Sequence, residues 1–141
     1  MPLFSYDTQT AQVLEKSFSV MTQERLAKGA SKISADKVME MLRKGDDFAL
    51  LDIRTPGEKR VITIATENTL DIPLNVLFKK ENLDTLPTKK PLIIVCHSGS
   101  RAQQAAAGLR AIGFGNVKVL KGGLKALANS DSTKNAPKVQ S

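Results

Sequence analysis

Two short stretches, Phe48-Ala49-Leu50-Leu51-Asp52-Ile53 and Pro91-Leu92-Ile93-Ile94-Val95, are apolar almost without interruption. A strand with one wetted face alternates apolar and polar residues, so a run that is apolar at successive positions belongs to a strand buried on both faces. The intervening segments carry the other period. Ala35, Val38, Met39 and Leu42 recur at helical spacing after Ser34, a capping residue, and the pattern stops at Gly45. Ala102, Ala105, Ala106, Leu109 and Ile112 form a second helical stripe, ended by Gly113. Val117 to Leu120 reads as a last strand, followed by Gly122-Gly123 and a short helix to about Ala128. Val61 to Ile64 and Leu70 to Pro73 are weaker strand candidates, and Leu74 to Leu83 reads as a short helix. Strands alternating with helices predict an α/β fold of three layers, a central parallel sheet flanked by helices.

This pattern divides the chain. Residues 1–30 form an N-terminal helical extension in which Ala11, Leu14, Phe18 and Met21 recur at helical spacing, ending near Gly29. Its plain reading is an amphipathic helix packed on the domain; the alternative is an arm that binds a partner. Residues 31–128 form the α/β domain, and residues 129–141, rich in Ser, Asn and Lys, read as a disordered tail. No internal repeat is visible.

A chain of 141 residues suits one domain and buries roughly 70% of its unfolded surface, enough for a core without disulfides or metals. Aromatics make up 4% and there is no Trp, so that core rests on Leu, Ile, Val and Ala. The net charge of +7 favours anionic partners. Lys79-Lys80, Lys89-Lys90 and Lys118, Lys121 and Lys125 are scattered among apolar positions, with no nucleic-acid motif and no aromatic stacking platform. The charge therefore points to a small anionic substrate and not to nucleic acid. One cysteine rules out an internal disulfide and a cysteine-built zinc cluster, and one histidine, His97, argues against a histidine metal site. No metal and no cofactor are expected. Met1 to Thr10 lacks a signal-peptide pattern, and no stretch approaches the ~18 apolar residues of a membrane span. The expectation is a cytoplasmic protein with no membrane partner.

In parallel sheets, ligands sit beyond the carboxyl ends of the strands. After Val95 comes Cys96-His97-Ser98-Gly99-Ser100-Arg101, between the clearest strand and the clearest helix. A loop of small residues entering a helix turns several N–H groups inward and makes an anion-binding nest. Gly99 admits a left-handed backbone, Ser98 and Ser100 add hydroxyl donors, and the fork of Arg101 suits oxyanions. A free cysteine is only roughly 3% ionised at pH 7, and depressing its pKa by about two units makes the thiolate the main species. The loop thus activates Cys96 as nucleophile and gathers an anionic substrate. Against this stands the ordinary lone cysteine at a strand end, a small buried apolar residue; the strand–Cys–small residues–Arg–helix order favours catalysis. For His97 two readings stand, a ring that tunes the field beside the sulfur and, more often for a loop residue pointing outward, one that takes no part; a general base is not needed, because the nucleophile is already a thiolate.

These residues resemble the rhodanese family over roughly Lys32 to Ala128. Leu51-Asp52-Ile53-Arg54-Thr55-Pro56-Gly57-Glu58 is similar to the family's Asp-x-Arg signature followed by an acidic residue, and Asp71-Ile72-Pro73-Leu74 fits its spacing. Cys96 to Arg101 resembles the active-site loop, and Gly113-Phe114 to Gly122-Gly123 the stretch through the last strand to a paired glycine. Two positions depart from the pattern: Lys59 to Ile64 lacks the usual His, and Leu124 stands where Trp is usual. The resemblance implies a sulfurtransferase with Cys96 as catalytic residue. His97, Ser98, Gly99, Ser100 and Arg101 would bind substrate. Asp52, Arg54 and Glu58 would be structural near the site, the first two as a buried ion pair or loop anchor. Cys96 would take sulfane sulfur from an anionic donor such as thiosulfate and hold it as a persulfide. Since no second cysteine can resolve that persulfide, the acceptor is external: cyanide, a thiol or a sulfur-acceptor protein. Two alternatives remain, a sulfur-relay or binding module without turnover, and a cysteine-dependent phosphatase or arsenate reductase. The latter carry one residue more in the loop, up to ~3.3–3.6 Å of contour, which favours sulfur transfer here.

Overall fold

The apolar runs become the middle of the sheet. The computed structural model describes residues 5–19, 31–59 and 69–134. Strands β2 (Ala49–Asp52) and β4 (Leu92–Val95) pair in parallel, and every residue of both is buried. With β1 (Ser31–Ile33), β3 (Thr69–Asp71) and β5 (Val117–Leu120) they form a five-stranded parallel sheet in the order β1-β5-β4-β2-β3. The three-layer α/β architecture expected from the alternating pattern is the one observed.

Burial on both faces follows from the two-residue period of a strand. On one face Ala49, Leu51, Leu92 and Ile94 pack with Ala102, Ala105, Ala106 and Leu109 of α5 (Ser100–Ala111). On the other, Leu50, Ile93, Val95 and Leu120 pack with Val38 and Met39 of α2 (Ala35–Lys44) and with Leu124 and Leu127 of α6 (Gly123–Lys134). Small residues on α5 allow it to lie close to β4, as ridge and groove demand of a helix over a sheet of branched side chains.

The caps of α2 are those its sequence specifies. The Ser34 side chain accepts a hydrogen bond from the Lys37 N–H at 3.1 Å, satisfying one of the unpaired first-turn donors. Gly45 closes the helix in a left-handed conformation, φ 70°.

Some elements differ from the sequence reading. β1 was not foreseen as a strand: it is three residues long with two of them exposed, too short to show a period, and it pairs with β5. The single helix expected over residues 74–83 is a 3-10 turn (Leu74–Val76) and a short helix α4 (Lys80–Leu83), separated because Lys79 is extended at φ −65°, ψ 140°. Where a disordered tail was expected from Asn129, residues 129–134 are helical, since α6 runs to Lys134 and no Gly or Pro interrupts them; residues 135–141 lie outside the described residues. Short α3 (Pro56–Lys59) follows β2. The weak strand expected at Val61 to Ile64, together with Met21 and Gly29, lies outside the described residues. N-terminal helix α1 spans Thr8–Ser19. Its apolar side chains Val13, Leu14 and Phe18 are exposed, where the plain reading expected burial.

Replacing Ser34 by Ala removes the α2 cap and should lower stability by about 1 kcal/mol. Urea unfolding followed by circular dichroism should show a lower midpoint with an unchanged slope.

Candidate active site

β4 has a neighbour on each side, β5 and β2, so the segment that leaves its carboxyl end is anchored laterally. Along β4 the side chains of Leu92 and Ile94 point to the α5 face, and Cys96 continues that alternation into the same cluster. The Gly99 N–H donates to Cys96 Sγ at 3.0 Å. Cys96 itself is only 1% exposed, so the sulfur lies at the floor of the loop. His97, Ser98 and Ser100 are exposed above it, and Gly99 and Arg101 are half-buried.

The backbone of this loop is held from behind. The first turn of a helix has N–H groups with no partner inside the helix. In α6, Leu124 N–H donates to the Cys96 carbonyl at 2.8 Å and Lys125 N–H to the His97 carbonyl at 3.3 Å. Both peptides are trans, and in a planar trans peptide the C=O and the following N–H point in opposite directions. Drawing the carbonyls of Cys96 and His97 toward α6 therefore turns the N–H groups of His97 and Ser98 away from it, toward the face where the sulfur lies.

Two glycines make the approach possible. Gly99 precedes α5 at φ 108°, a conformation open to glycine and strained for other residues. At Gly123, φ is 65°, and a Cβ there would stand 2.5 Å from the His97 carbonyl oxygen and 2.6 Å from that of Cys96. The second glycine of the pair is thus a contact surface: only a residue without a side chain lets α6 reach the loop.

Asp52 and Arg54, both 2% exposed, form an ion pair behind the site. Arg54 donates through Nε to Oδ1 at 3.0 Å and through Nη2 to Oδ2 at 2.8 Å, and its backbone N–H also donates to Oδ1 at 3.1 Å. The fork and the backbone together fold the chain back on itself just beyond β2. Glu58 falls within α3.

Arg101 lines a cavity of about 640 Å³ with Ile53, Thr55, Pro56, Pro73, Leu74, Asn75 and Val76. Ile53 N–H donates to Val95 O at 3.1 Å and accepts through its carbonyl from Leu74 N–H at 3.2 Å, tying this wall to the strand that carries Cys96. The sequence reading named the loop but missed the wall after β3 and the part played by α6. The rule that ligands sit at the carboxyl ends of parallel strands pointed to the first, and the paired glycine to the second. Among the described residues no cluster of three His, Cys, Asp or Glu could hold a metal, and no helix is long and apolar enough to cross a membrane.

Residues 34–130 match the rhodanese-like domain. A sulfurtransferase of Allochromatium vinosum is 31% identical over 98 residues, which cover 70% of this chain and 88% of the relative. A probable adenylyltransferase/sulfurtransferase, MoeZ, of Mycobacterium tuberculosis is 31% identical over 102 residues, 72% of this chain but 25% of that one. The chain therefore spans most of the first relative and about a quarter of the second. A structure from Rhodopseudomonas palustris, described as a protein of unknown function and possible tyrosine phosphatase, shares the fold at a TM-score of 0.65 and 19% identity, covering 98% of both chains.

Two substitutions test this architecture. Asp52→Ala leaves a buried guanidinium without its partner and should cost about 3–5 kcal/mol in urea unfolding. Gly123→Ala combines a left-handed backbone with a collision against two carbonyls and should cost about 3 kcal/mol. Hydrogen exchange in the same variant should show the amides of residues 97–99 losing protection before those of β2.

Proposed function

The chain belongs to the rhodanese-like family, and we propose that it moves sulfane sulfur from a small anionic donor such as thiosulfate to an external thiol or cyanide, through a persulfide on Cys96. The observation that carries this reading is the Gly99 N–H donating to Cys96 Sγ at 3.0 Å, in a loop of six residues from Cys96 to Arg101. An N–H aimed at sulfur stabilises negative charge on it, and the same donor set suits a persulfide anion. The sulfurtransferases among its relatives support sulfur transfer.

In the first half-reaction the Cys96 thiolate attacks the outer sulfur of thiosulfate. A new S–S bond forms on Cys96 as the donor's own S–S bond breaks, and sulfite departs with the bonding pair. In the second, an acceptor thiolate or cyanide attacks the outer sulfur of the persulfide, and the Cys96 thiolate is released. His97, Ser98, Gly99 and Ser100 supply the backbone and hydroxyl donors around the transferred atom, and Arg101 balances the charge of the donor. The Asp52–Arg54 pair positions the neighbouring wall and touches no reacting atom in this scheme. No cofactor takes part: the intermediate is the modified cysteine itself. With one cysteine in the chain, the persulfide waits for an acceptor from outside.

A second reading has one observation in its favour. The matching stretch forms only about a quarter of MoeZ, so the domain can be joined to other activities, and a sulfur-relay module would take its sulfur from a partner protein. Turnover of thiosulfate with cyanide by the purified chain separates the two, since a relay module should show little.

Intact-mass analysis after thiosulfate treatment should find one added sulfur atom, removable by cyanide. Cys96→Ser should gain no sulfur and lose turnover while keeping its circular dichroism. Arg101→Ala should raise the KM for thiosulfate roughly tenfold, about 1.4 kcal/mol of lost binding; an unchanged KM would sink the role given to the guanidinium.

A further inference from the structure

Charge is distributed unevenly along this chain. Residues 85–130 contain seven Lys and Arg and no Asp or Glu, whereas the rest holds fourteen of each sign. The whole formal charge of +7 therefore belongs to the stretch that builds β4, the cysteine loop, α5, β5 and the start of α6. Part of that charge is already engaged. Lys90 lies 3.3 Å from Asp47, and Arg101 and Arg110 make interactions of their own. Lys121 and Lys125 are exposed, and among the described residues neither has an acidic partner. Both border the cysteine loop. Lys125 N–H donates to the His97 carbonyl at 3.3 Å. A Cβ on Gly99 would lie 3.7 Å from the Leu120 carbonyl oxygen and 3.7 Å from the Gly122 nitrogen, the groups on either side of Lys121. Two unpaired cations thus stand on the α6 side of the loop, next to the exposed His97 and Ser98.

The second half-reaction brings two anions together. An acceptor thiolate approaches a persulfide that is itself negative, and like charges 4 Å apart repel by about 1 kcal/mol even in water. The inward N–H groups of the loop serve the persulfide, and the lysine rim serves what approaches it. We propose that the sulfur acceptor is an acidic protein segment, its thiol set among Asp and Glu, that docks on Lys121 and Lys125. This rests on the sulfur-transfer reading of Cys96 and names the chemistry of the partner. The acceptor thiolate attacks the outer sulfur of Cys96–S–S⁻, an S–S bond forms on the acceptor, the bond to the Cys96 sulfur breaks, and the Cys96 thiolate leaves with the electron pair. Two negative charges stand on each side, and neither oxidant nor reductant is consumed. Nucleic acid would meet the same cations, but it brings no thiol to the persulfide, and stacking residues are scarce at 4% aromatics.

The test loads the full-length chain with sulfur from thiosulfate, checks the added atom by intact mass, and mixes it with three acceptors. These are a peptide whose single cysteine is flanked by Glu, the same peptide with Lys in place of Glu, and 2-mercaptoethanol. Each peptide's second-order rate is divided by that of 2-mercaptoethanol in the same variant, so any change in the loop itself cancels. At about 0.1 M salt the acidic peptide should exceed the basic one by about tenfold. Neighbouring carboxylates disfavour a thiolate, so intrinsic reactivity runs against that order. Lys121→Glu with Lys125→Glu should reverse it. Lys89→Glu with Lys90→Glu makes the same change of charge at the other end of β4, at least six residues from Cys96, or about 20 Å of extended chain. That is about twice the Debye length at 0.1 M, so this second pair of substitutions should keep the preference. An equal effect of the two pairs, or no preference in the unaltered protein, would overturn the proposal while leaving sulfur transfer standing. So would an RNA oligonucleotide that blocks transfer at lower concentration than a thiol-free acidic peptide of equal charge. Failure of thiosulfate to load Cys96 would overturn the underlying reading, and this inference with it.

Discussion

The carbonyl groups of Cys96 and His97 must be held on one side for their neighbours' N–H groups to face the other, and the first turn of α6 does the holding. Leu124 and Lys125 donate to those carbonyls at 2.8 and 3.3 Å. The arrangement satisfies both parties: α6 has first-turn donors that its own helix cannot use, and a loop at a strand end has acceptors that the sheet ladder no longer pairs. Everything else in the fold serves that approach. β4 sits inside the sheet so that the loop springs from a fixed base, and α6 lies on the α2 face so that its amino end points at the loop from behind. A net hydrogen bond contributes only about 0.5–1.5 kcal/mol to stability. The value of these two lies in orientation, because a peptide plane cannot turn its oxygen without also turning its nitrogen.

Glycine placement shows the same logic. At Gly123 the constraint is space as well as dihedral angle: the positions of two carbonyl oxygens forbid a Cβ. At Gly99 the surrounding atoms leave ordinary contact distances, the nearest at 3.7 Å, and the constraint is the φ of 108° alone. Two glycines in one site thus answer different demands. One sets how near the supporting helix comes, and the other lets the loop curl so that its own amide meets the sulfur.

Much of this was legible in the sequence, for identifiable reasons. Continuous apolar runs of four to six residues fit doubly buried strands, and Ser34 and Gly45 marked the ends of α2. The Cys96–Arg101 loop followed from its place between the strongest strand and the strongest helix. What stayed hidden depended on partners remote in the chain. β1 acquires its character by pairing with β5, and nothing in Ser31-Lys32-Ile33 announces that. The wall made by Pro73 to Val76 belongs to the site because Leu74 N–H meets the Ile53 carbonyl, a contact between residues twenty-one positions apart with no periodic signature. Phe78 gives a further case: its ring occupies the space where a Cβ on Gly108 would stand, so a glycine inside α5 is explained only by a side chain from another segment.

The sheet's outermost members carry a different kind of information. Among the described residues, β1 and β3 lie at its two margins, each only three residues long, with Lys32 and Asp71 exposed on them. Open strands invite recruitment by other chains, and proteins blunt them by brevity and charge. A domain protected in this way can stand at high local concentration, or be spliced beside unrelated neighbours, without seeding cross-β aggregation.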